Sequence, residues 1–205
     1  MKIFMVILAV LMLGGCNMET GKIDGSDIPT IPSILPSAMP SILPSIQPSA
    51  AATESPVALG VFITEILDTD PGRVENLQLC ASILNGEIVE PGKTFSFNDT
   101  VGKRTEEKGY REAIILVEGK REYAVGGGIC QISSTLYNAA EIAGMEILER
   151  HNHTGDVHYV EIGRDAAVSF GEQDFRFRNA LDTPVRLEIK VENTEVLAAL
   201  YAQEE

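Results

Sequence analysis

Residues 126–138 read Gly126-Gly127-Gly128-Ile129-Cys130-Gln131-Ile132-Ser133-Ser134-Thr135-Leu136-Tyr137-Asn138, and this stretch is the most informative in the chain. A flexible glycine run precedes a segment whose apolar residues recur at helical spacing, and a cysteine lies at the start of that segment. That stripe predicts a helix on which a sheet packs, and it comprises Ile132, Leu136, Ala139, Ala140 and Ala143, with Gly144 as the stop.

Cys130 is the candidate nucleophile because a helix N-terminus carries partial positive charge and unpaired N–H groups that favour a thiolate. Two histidines, His151 and His153, follow it, and then Asp165. The order Cys, His, Asp can supply a nucleophile, a base and a group that orients the base. His153 is favoured as the base and His151 as a supporting partner, although both would point to one face of an extended segment.

The remaining candidate site residues fall into two sets. N–H groups near Gly128 and Cys130 could hold an oxyanion. The predicted supporting residues are His151, Asn152, Gln131, Gly126, Gly127 and Gly128. The predicted substrate contacts are Arg104, Tyr110 and Arg164.

Structural alternatives stay open for each of these residues. Glycines 126–128 could form a tight turn that allows close packing, and Cys130 could be a small buried hydrophobe. The histidines could hydrogen-bond across a sheet end, and Asp165 could pair with Arg164. Ser133, Ser134 and Thr135 are expected to pack or cap the helix.

Two further alternatives change the chemistry. A disulfide between Cys80 and Cys130 would block the nucleophile, although Cys80 is predicted in the middle of a helix. His151 and His153 with Cys130 or Asp165 could bind zinc, but a lone His-x-His is weak evidence. No metal or other cofactor is therefore predicted.

Apolar periodicity elsewhere predicts an α+β domain. Val74, Leu77, Cys80, Ala81 and Leu84 recur at helical spacing, and Asn85-Gly86 ends the run. Short β-prone segments follow, namely Ile114–Val117, Glu146–Glu149, Val157–Glu161, Ala166–Phe170, Asp174–Arg178, Val185–Val191 and Glu195–Tyr201. An antiparallel sheet packed on the Cys130 helix is expected, a layout like that of papain-like and transglutaminase-like thiol enzymes by analogy only.

The chain also resembles the VanW family from about Arg73 to Pro184. The matching blocks come in one order: Arg73-Val74-Glu75-Asn76, Leu84-Asn85-Gly86, Pro91-Gly92-Lys93-Thr94-Phe95-Ser96-Phe97-Asn98, Arg104-Thr105-Glu106 with Gly109-Tyr110, the glycine–cysteine stretch, Arg150-His151-Asn152-His153, Gly163-Arg164-Asp165-Ala166 and Asp174-Phe175-Arg176-Phe177. The family is named after an accessory protein of vancomycin-resistance clusters. The resemblance implies a bacterial envelope protein but no particular reaction.

The sequence departs from the family pattern beside the candidate site. Lys103 stands where a proline is usual, and Tyr123-Ala124 replaces a valine–proline pair. Thr154-Gly155-Asp156 and His158 replace a serine- and proline-containing stretch, so no role is assigned to His158.

The N-terminus predicts export and lipid anchoring. Lys2 precedes an apolar run, Ile3 to Leu13, that is shorter than the ~20 residues a spanning helix needs and suits a signal peptide of residues 1–15,. Leu13-Gly14-Gly15-Cys16 resembles a lipobox, which implies acylation of Cys16 and attachment to the outer face of the cytoplasmic membrane. The Pro-Ser repeats of residues 16–56 predict an extended tether, and residues 57–205 suit one domain.

Composition narrows the partners. The formal net charge of −14 argues against nucleic-acid binding,. The leading hypothesis is an envelope protein that acts on peptidoglycan peptide stems by thiol-based amide hydrolysis or acyl transfer. The alternatives are a non-catalytic peptidoglycan-binding or scaffolding module and a zinc-dependent hydrolase.

Overall fold

The computed structural model describes residues 57–117 and 120–203. The predicted signal peptide, Cys16 and the Pro/Ser-rich tether lie outside these residues. In the described part the α-helices are α1 (Pro71–Leu84), α2 (Phe97–Val101) and α3 (Ile129–Ile142). None of them is long and apolar enough to cross a membrane.

The strands form two antiparallel sheets and a separate hairpin. Their bounds are β1 (Ala58–Glu65), β2 (Ile88–Val89), β3 (Thr94–Ser96), β4 (Glu112–Val117), β5 (Lys120–Val125), β6 (Glu146–Glu149), β7 (Arg176–Arg178), β8 (Val185–Glu192) and β9 (Glu195–Ala202). The larger sheet has the order β1-β9-β8-β2, the smaller sheet has the order β3-β7-β6, and β4 pairs with β5. The predicted mixed α and β class with antiparallel pairing is confirmed, but the strands divide between two sheets.

Helix α1 begins and ends as local chemistry predicts. The Asp70 carboxylate accepts a hydrogen bond from the Arg73 backbone N–H at 3.3 Å, which caps the first turn,. Asn85-Gly86 follows the last turn, and Gly86 has a φ of +90° that glycine adopts without strain,. Cys80 is fully buried on the inner face, as its place in the apolar stripe predicts.

Helix α3 is the central element of the core. Its apolar stripe is buried, and β1 and β9 pack against it. A Cβ on Gly60 of β1 would lie 2.3 Å from the carbonyl oxygen of Ala139, so only glycine permits this approach,. The predicted packing of a sheet on this helix is confirmed.

An aromatic cluster connects the smaller sheet to α3. The rings of Phe95 and Phe177 stack with centroids 4.9 Å apart, and Tyr137 of α3 meets Phe175 edge-to-face at 5.8 Å,. This cluster fixes the smaller sheet, and with it the start of the loop after β6, relative to α3.

The strand predictions hold best where a strand has a paired neighbour. Strands β6, β8 and β9 match their predicted segments within one residue, and β4 contains the predicted Ile114–Val117. The predictions for Val157–Glu161 and Ala166–Phe170 are wrong, because these segments are turns with isolated bridges only. The backbone carbonyl and N–H of Ala166 bond to the hydroxyl groups of Ser133 and Ser134 in α3, and not to a neighbouring strand. Only residues 176–178 of the predicted Asp174–Arg178 strand are extended and paired.

Candidate active site

Cys130 is the second residue of α3 and is half-buried at the wall of a cleft. Gly128 precedes the helix with a φ of +100°, a conformation that turns the chain into the helix and suits glycine,. The Sγ atom lies 3.5 Å from both the N–H and the carbonyl oxygen of Val168. The backbone N–H of Cys130 has no intrahelical carbonyl to donate to, because the first residues of a helix lack such an acceptor,.

The glycine run also has a packing role. A Cβ on Gly127 would lie 2.6 Å from the carbonyl oxygen of Ala113 in β4. The tight-turn interpretation is therefore correct for this glycine, and it does not compete with a thiol role for Cys130.

His153 is held by Asp165 through two contacts. Its Nδ1 atom lies 2.7 Å from Asp165 Oδ2, and its backbone N–H donates to the same oxygen at 2.6 Å. This arrangement commits Nδ1 to the buried carboxylate and leaves Nε2 for the Cys130 thiol.

The three groups alter one another's pKa. Burial by itself raises the pKa of Cys130, but hydrogen bonding to His153, the imidazolium charge, the Val168 N–H and the charge of Arg104 together lower it below its usual value,. Burial opposes the imidazolium of His153, yet Cys130 and Asp165 raise its pKa. Both shifts favour a thiolate beside an imidazolium, the reactive form of a cysteine nucleophile,.

Helix α3 positions the acid. Ser134 Oγ accepts the Ala166 N–H at 2.9 Å, and Ser133 Oγ donates to the Ala166 carbonyl at 2.6 Å. Asn138 Nδ2 donates to the Arg164 carbonyl at 2.7 Å. These buried side chains clamp the residues on both sides of Asp165, a role beyond the helix packing or capping expected of the serines.

The cleft has a volume of about 520 Å³ and opens between the β4–β5 hairpin, the start of α3 and the segment after Asp165. Its apolar wall comes largely from Ile114, Ile115 and Val125 of the hairpin, and from Val168 and Phe170 opposite. A groove of this size suits a short peptide or a comparable small molecule.

The structure separates most predicted supporting residues from the cleft. His151 Nε2 lies 3.0 Å from Glu149 Oε1, and Asn152 accepts from the Arg150 guanidinium. Gln131 is buried and bonds to three other groups, so it does not face the cleft. His151 and His153 therefore do not act on a common face, because the chain is not a regular strand beyond residue 151.

The predicted substrate contacts divide in the same way. Arg104 lines the cleft. Tyr110 is fully buried in the core, so a substrate contact is wrong for it. Arg164 donates to Glu141 at 2.5 Å and does not line the cleft, and it forms no ion pair with Asp165.

Two cleft residues were missed by the sequence analysis. Arg73 stands opposite Gly128, and Tyr159 lies close enough to Cys130 that burial and the thiolate charge both raise the pKa of its phenol. Arg73 belongs to a family block and could have been found by that signal. Tyr159 lies in an irregular segment that no periodicity describes.

The disulfide and zinc alternatives do not fit. Cys80 and Cys130 are both free thiols. Within residues 57–117 and 120–203, no three His, Cys, Asp or Glu side chains converge as metal ligands. His151 is directed to Glu149, which breaks the ligand set that the sequence suggested.

Comparison with known proteins identifies a family and two relatives to which the chain is similar. The model of a family described as "VanW like protein" matches residues 72–201. The uncharacterized protein YoaR of Bacillus subtilis is 43% identical over 146 residues, which cover 71% of this chain and 48% of YoaR. The vancomycin B-type resistance protein VanW of Enterococcus faecalis is 29% identical over 138 residues, which cover 65% of this chain and 50% of that protein. The chain thus spans about half the length of these curated relatives, and no solved structure matches it.

Proposed function

Because the chain belongs to the family of VanW-like proteins, we propose that it is a bacterial envelope protein that uses Cys130 in thiol chemistry on peptidoglycan peptide stems. The reaction is amide hydrolysis or acyl transfer. The observation that carries the proposal is the Cys130–His153–Asp165 arrangement at the cleft, in which the pKa of the thiol is lowered and that of the imidazole is raised.

The geometry supports a two-step reaction. The Cys130 thiolate attacks the amide carbonyl, and a C–S bond forms while electrons shift onto the carbonyl oxygen. The unpaired N–H at the start of α3 stabilises that oxyanion. His153 Nε2 donates its proton to the leaving nitrogen as the C–N bond breaks, which leaves a thioester.

The second step releases the acyl group. His153, now neutral, accepts a proton from water or from an amine as that molecule attacks the thioester. The thiolate then leaves, and the product is a carboxylic acid or a new amide. Asp165 keeps the ring in the tautomer with a proton on Nδ1 throughout, through the 2.7 Å contact,.

The sequence and the relatives support the proposed compartment. The signal-like residues 1–15, the lipobox-like Cys16 and the Pro/Ser-rich tether support attachment to the outer face of the membrane,. One relative is named a vancomycin B-type resistance protein, which is consistent with work at the cell envelope. The papain-like layout remains an analogy, because here both His153 and Asp165 lie on irregular segments beside the helix,.

A non-catalytic peptidoglycan-binding module is the second candidate. It is favoured by the basic side chains of the cleft, namely Arg73, Lys103 and Arg104. These would hold an acidic ligand whether or not the thiol reacts. Such a module binds muropeptides and leaves their masses unchanged.

Incubation of the purified protein with muropeptides, followed by mass spectrometry, separates the two candidates. We expect a mass change from bond cleavage or acyl transfer, and a loss of this change in Cys130→Ser. Arg178→Met is a matched surface control, since Arg178 lies on β7 and pairs with Glu146 away from the cleft. Retention of muropeptides with unchanged masses would support the binding module instead.

A further inference from the structure

The cleft beside Cys130 has a charge opposite to that of the chain. The chain carries 30 acidic and 16 basic residues. Besides Cys130 and His153, the charged side chains among the described residues that line the cleft are Arg73, Lys103 and Arg104, and none is Asp or Glu. In so acidic a protein, an acid-free wall with three cations indicates selection for a negatively charged ligand.

Arg73 is anchored by a neutral amide and not by a carboxylate. Its Nη2 donates to Gln131 Oε1 at 2.8 Å. The amide nitrogen of Gln131 is committed to Thr64 Oγ1 at 3.0 Å and the Glu65 carbonyl at 2.9 Å, which directs Oε1 towards Arg73. Within the described part of the chain, Nη1 donates to no protein group, and Nε is buried without a partner.

Arg104 is anchored in the same manner. Its Nη1 donates to Asn98 Oδ1 at 2.7 Å. The amide nitrogen of Asn98 donates to the carbonyls of Ser169 and Gln173 at 3.2 and 2.7 Å. Two guanidinium groups are thus oriented by amides that are themselves fixed, and the described residues include no carboxylate partner for either.

Gly128 leaves Arg73 open towards the cleft. A Cβ at this position would lie 2.9 Å from Arg73 Cγ and 3.2 Å from Nη1. Glycine therefore lets the free guanidinium edge stand beside the helix start that carries Cys130. A ligand group bound to Nη1 would lie next to the carbon that the thiol attacks.

We propose that Arg73, supported by Lys103 and by the charge of Arg104, binds a free carboxylate located a few bonds from the reacting carbonyl. The substrate class is then a peptide that reacts near its carboxyl terminus, and not an internal amide. A guanidinium matches a carboxylate through paired charge-assisted hydrogen bonds, which fixes the ligand's orientation as well as its affinity. This assignment rests on the proposed thiol function.

Two alkylating agents test the carboxylate site directly. Iodoacetate and iodoacetamide each present a CH₂ carbon to the thiolate, which forms a C–S bond as iodide leaves with the electrons of the C–I bond. They differ only in a carboxylate against a carboxamide. The rates at Cys130 are measured on the full chain by peptide mass spectrometry, and their ratio is divided by the ratio for N-acetylcysteine.

We expect the normalised iodoacetate preference to be roughly tenfold, the effect of one charge-assisted contact. Arg73→Met should remove most of it. Lys103→Met should reduce it about two- to threefold, because Lys103 is exposed and its charge is screened,. Arg178→Met, which removes the same charge outside the cleft, should leave the ratio unchanged.

The two reagents also separate this proposal from the proposed function. Slow reaction of Cys130 with iodoacetamide, at the rate of an ordinary thiol, would refute the activated thiolate and with it the substrate assignment. Fast reaction with iodoacetamide but a ratio equal to that of N-acetylcysteine would refute the carboxylate site alone. Equal loss with both reagents in Arg73→Met would show that Arg73 acts only on the thiolate. If Arg73→Met does not fold, an unchanged ratio in Lys103→Met overturns the proposal.

Discussion

Cys80 and Cys130 are both helical, both free and chemically opposite. Cys80 lies in the middle of α1 on the apolar face, where burial raises the pKa of its thiol to about 12 although the charge of Arg104 opposes this. Cys130 is also penalised by burial, yet its pKa falls because His153, the Val168 N–H and Arg104 stabilise the thiolate. The same side chain is thus a core residue in one place and a nucleophile candidate in the other.

The difference shows which features create reactivity. Burial by itself raises the pKa of both thiols, so it does not explain why they differ. The start of a helix supplies unpaired N–H groups to Cys130, and an imidazole held by Asp165 supplies a nearby positive charge. Cys80 has neither, so its environment makes it an inert hydrophobe.

Removing the reacting groups should produce the largest effect. We expect Cys130→Ser and His153→Ala each to reduce muropeptide turnover by roughly four orders of magnitude, with little further loss in the double variant. Two residues that act as one unit are not additive. Mass spectrometry of the products measures turnover, and thermal unfolding should show near-native stability for Cys130→Ser.

Cys80→Ser is the matched control for this experiment. It should retain turnover but lower the free energy of unfolding by about 1–3 kcal/mol, because it places a hydroxyl in the apolar core. A Cys130→Ser protein with full turnover would overturn the thiol mechanism.

Alkylation of the folded protein should discriminate between the two thiols by at least a thousandfold at about pH 7. With a pKa of about 12, Cys80 is almost entirely protonated and it is also fully buried. The Cys130 rate should rise to its plateau at a lower pH than that of free cysteine, and His153→Ala should move this midpoint upward. Peptide mapping after iodoacetamide treatment over a pH series gives both results. Comparable labelling of both thiols would contradict the predicted difference in reactivity between Cys80 and Cys130.

Asp165→Asn should lower turnover by roughly a hundredfold, since the amide cannot hold the same imidazole tautomer with a charge. It should also change the acid side of the stability curve. Burial raises the pKa of Asp165, but its hydrogen bonds to His153 outweigh this and lower it. The resulting stabilisation is present above the unfolded pKa of ~4 and is lost as pH falls through the folded value.

Asp165→Asn has no carboxylate at this position to protonate. Its free energy of unfolding should therefore depend less steeply on pH below ~4 than that of the wild type. Urea unfolding at several acidic pH values measures this slope. Glu141→Gln removes a surface carboxylate that pairs with Arg164 outside the cleft, and it should keep turnover at the wild-type level. An unchanged acid slope in Asp165→Asn would show that Asp165 does not hold a lowered pKa.

The sequence predicted those parts of the site that depend on local pattern. Apolar periodicity and turn residues placed α1 and α3, and the helix start singled out Cys130. Local pattern gave wrong strand predictions for Val157–Glu161 and Ala166–Phe170. Backbone groups or side chains of these segments bond to distant parts of the fold and not to a neighbouring strand. Arg73 was missed for a related reason, since its approach to Gly128 joins residues 55 positions apart.

Ser134→Ala should give the smallest effect, and it tests how Asp165 is held in place. The Ser134 hydroxyl accepts the buried Ala166 N–H at 2.9 Å and donates to the Cys130 carbonyl at 2.7 Å. Without it that N–H loses its partner, which should lower the free energy of unfolding by about 1–2 kcal/mol. Turnover should fall only a few-fold, because Asn138 still holds the Arg164 carbonyl on the other side of Asp165. Ser82→Ala on the exposed face of α1 removes a comparable local hydrogen bond and should change neither quantity measurably. Urea unfolding and turnover are measured for the wild type, Ser134→Ala and Ser82→Ala. A loss of turnover in Ser134→Ala as large as that in Asp165→Asn would mean that the serine, and not the carboxylate alone, sets the position of His153.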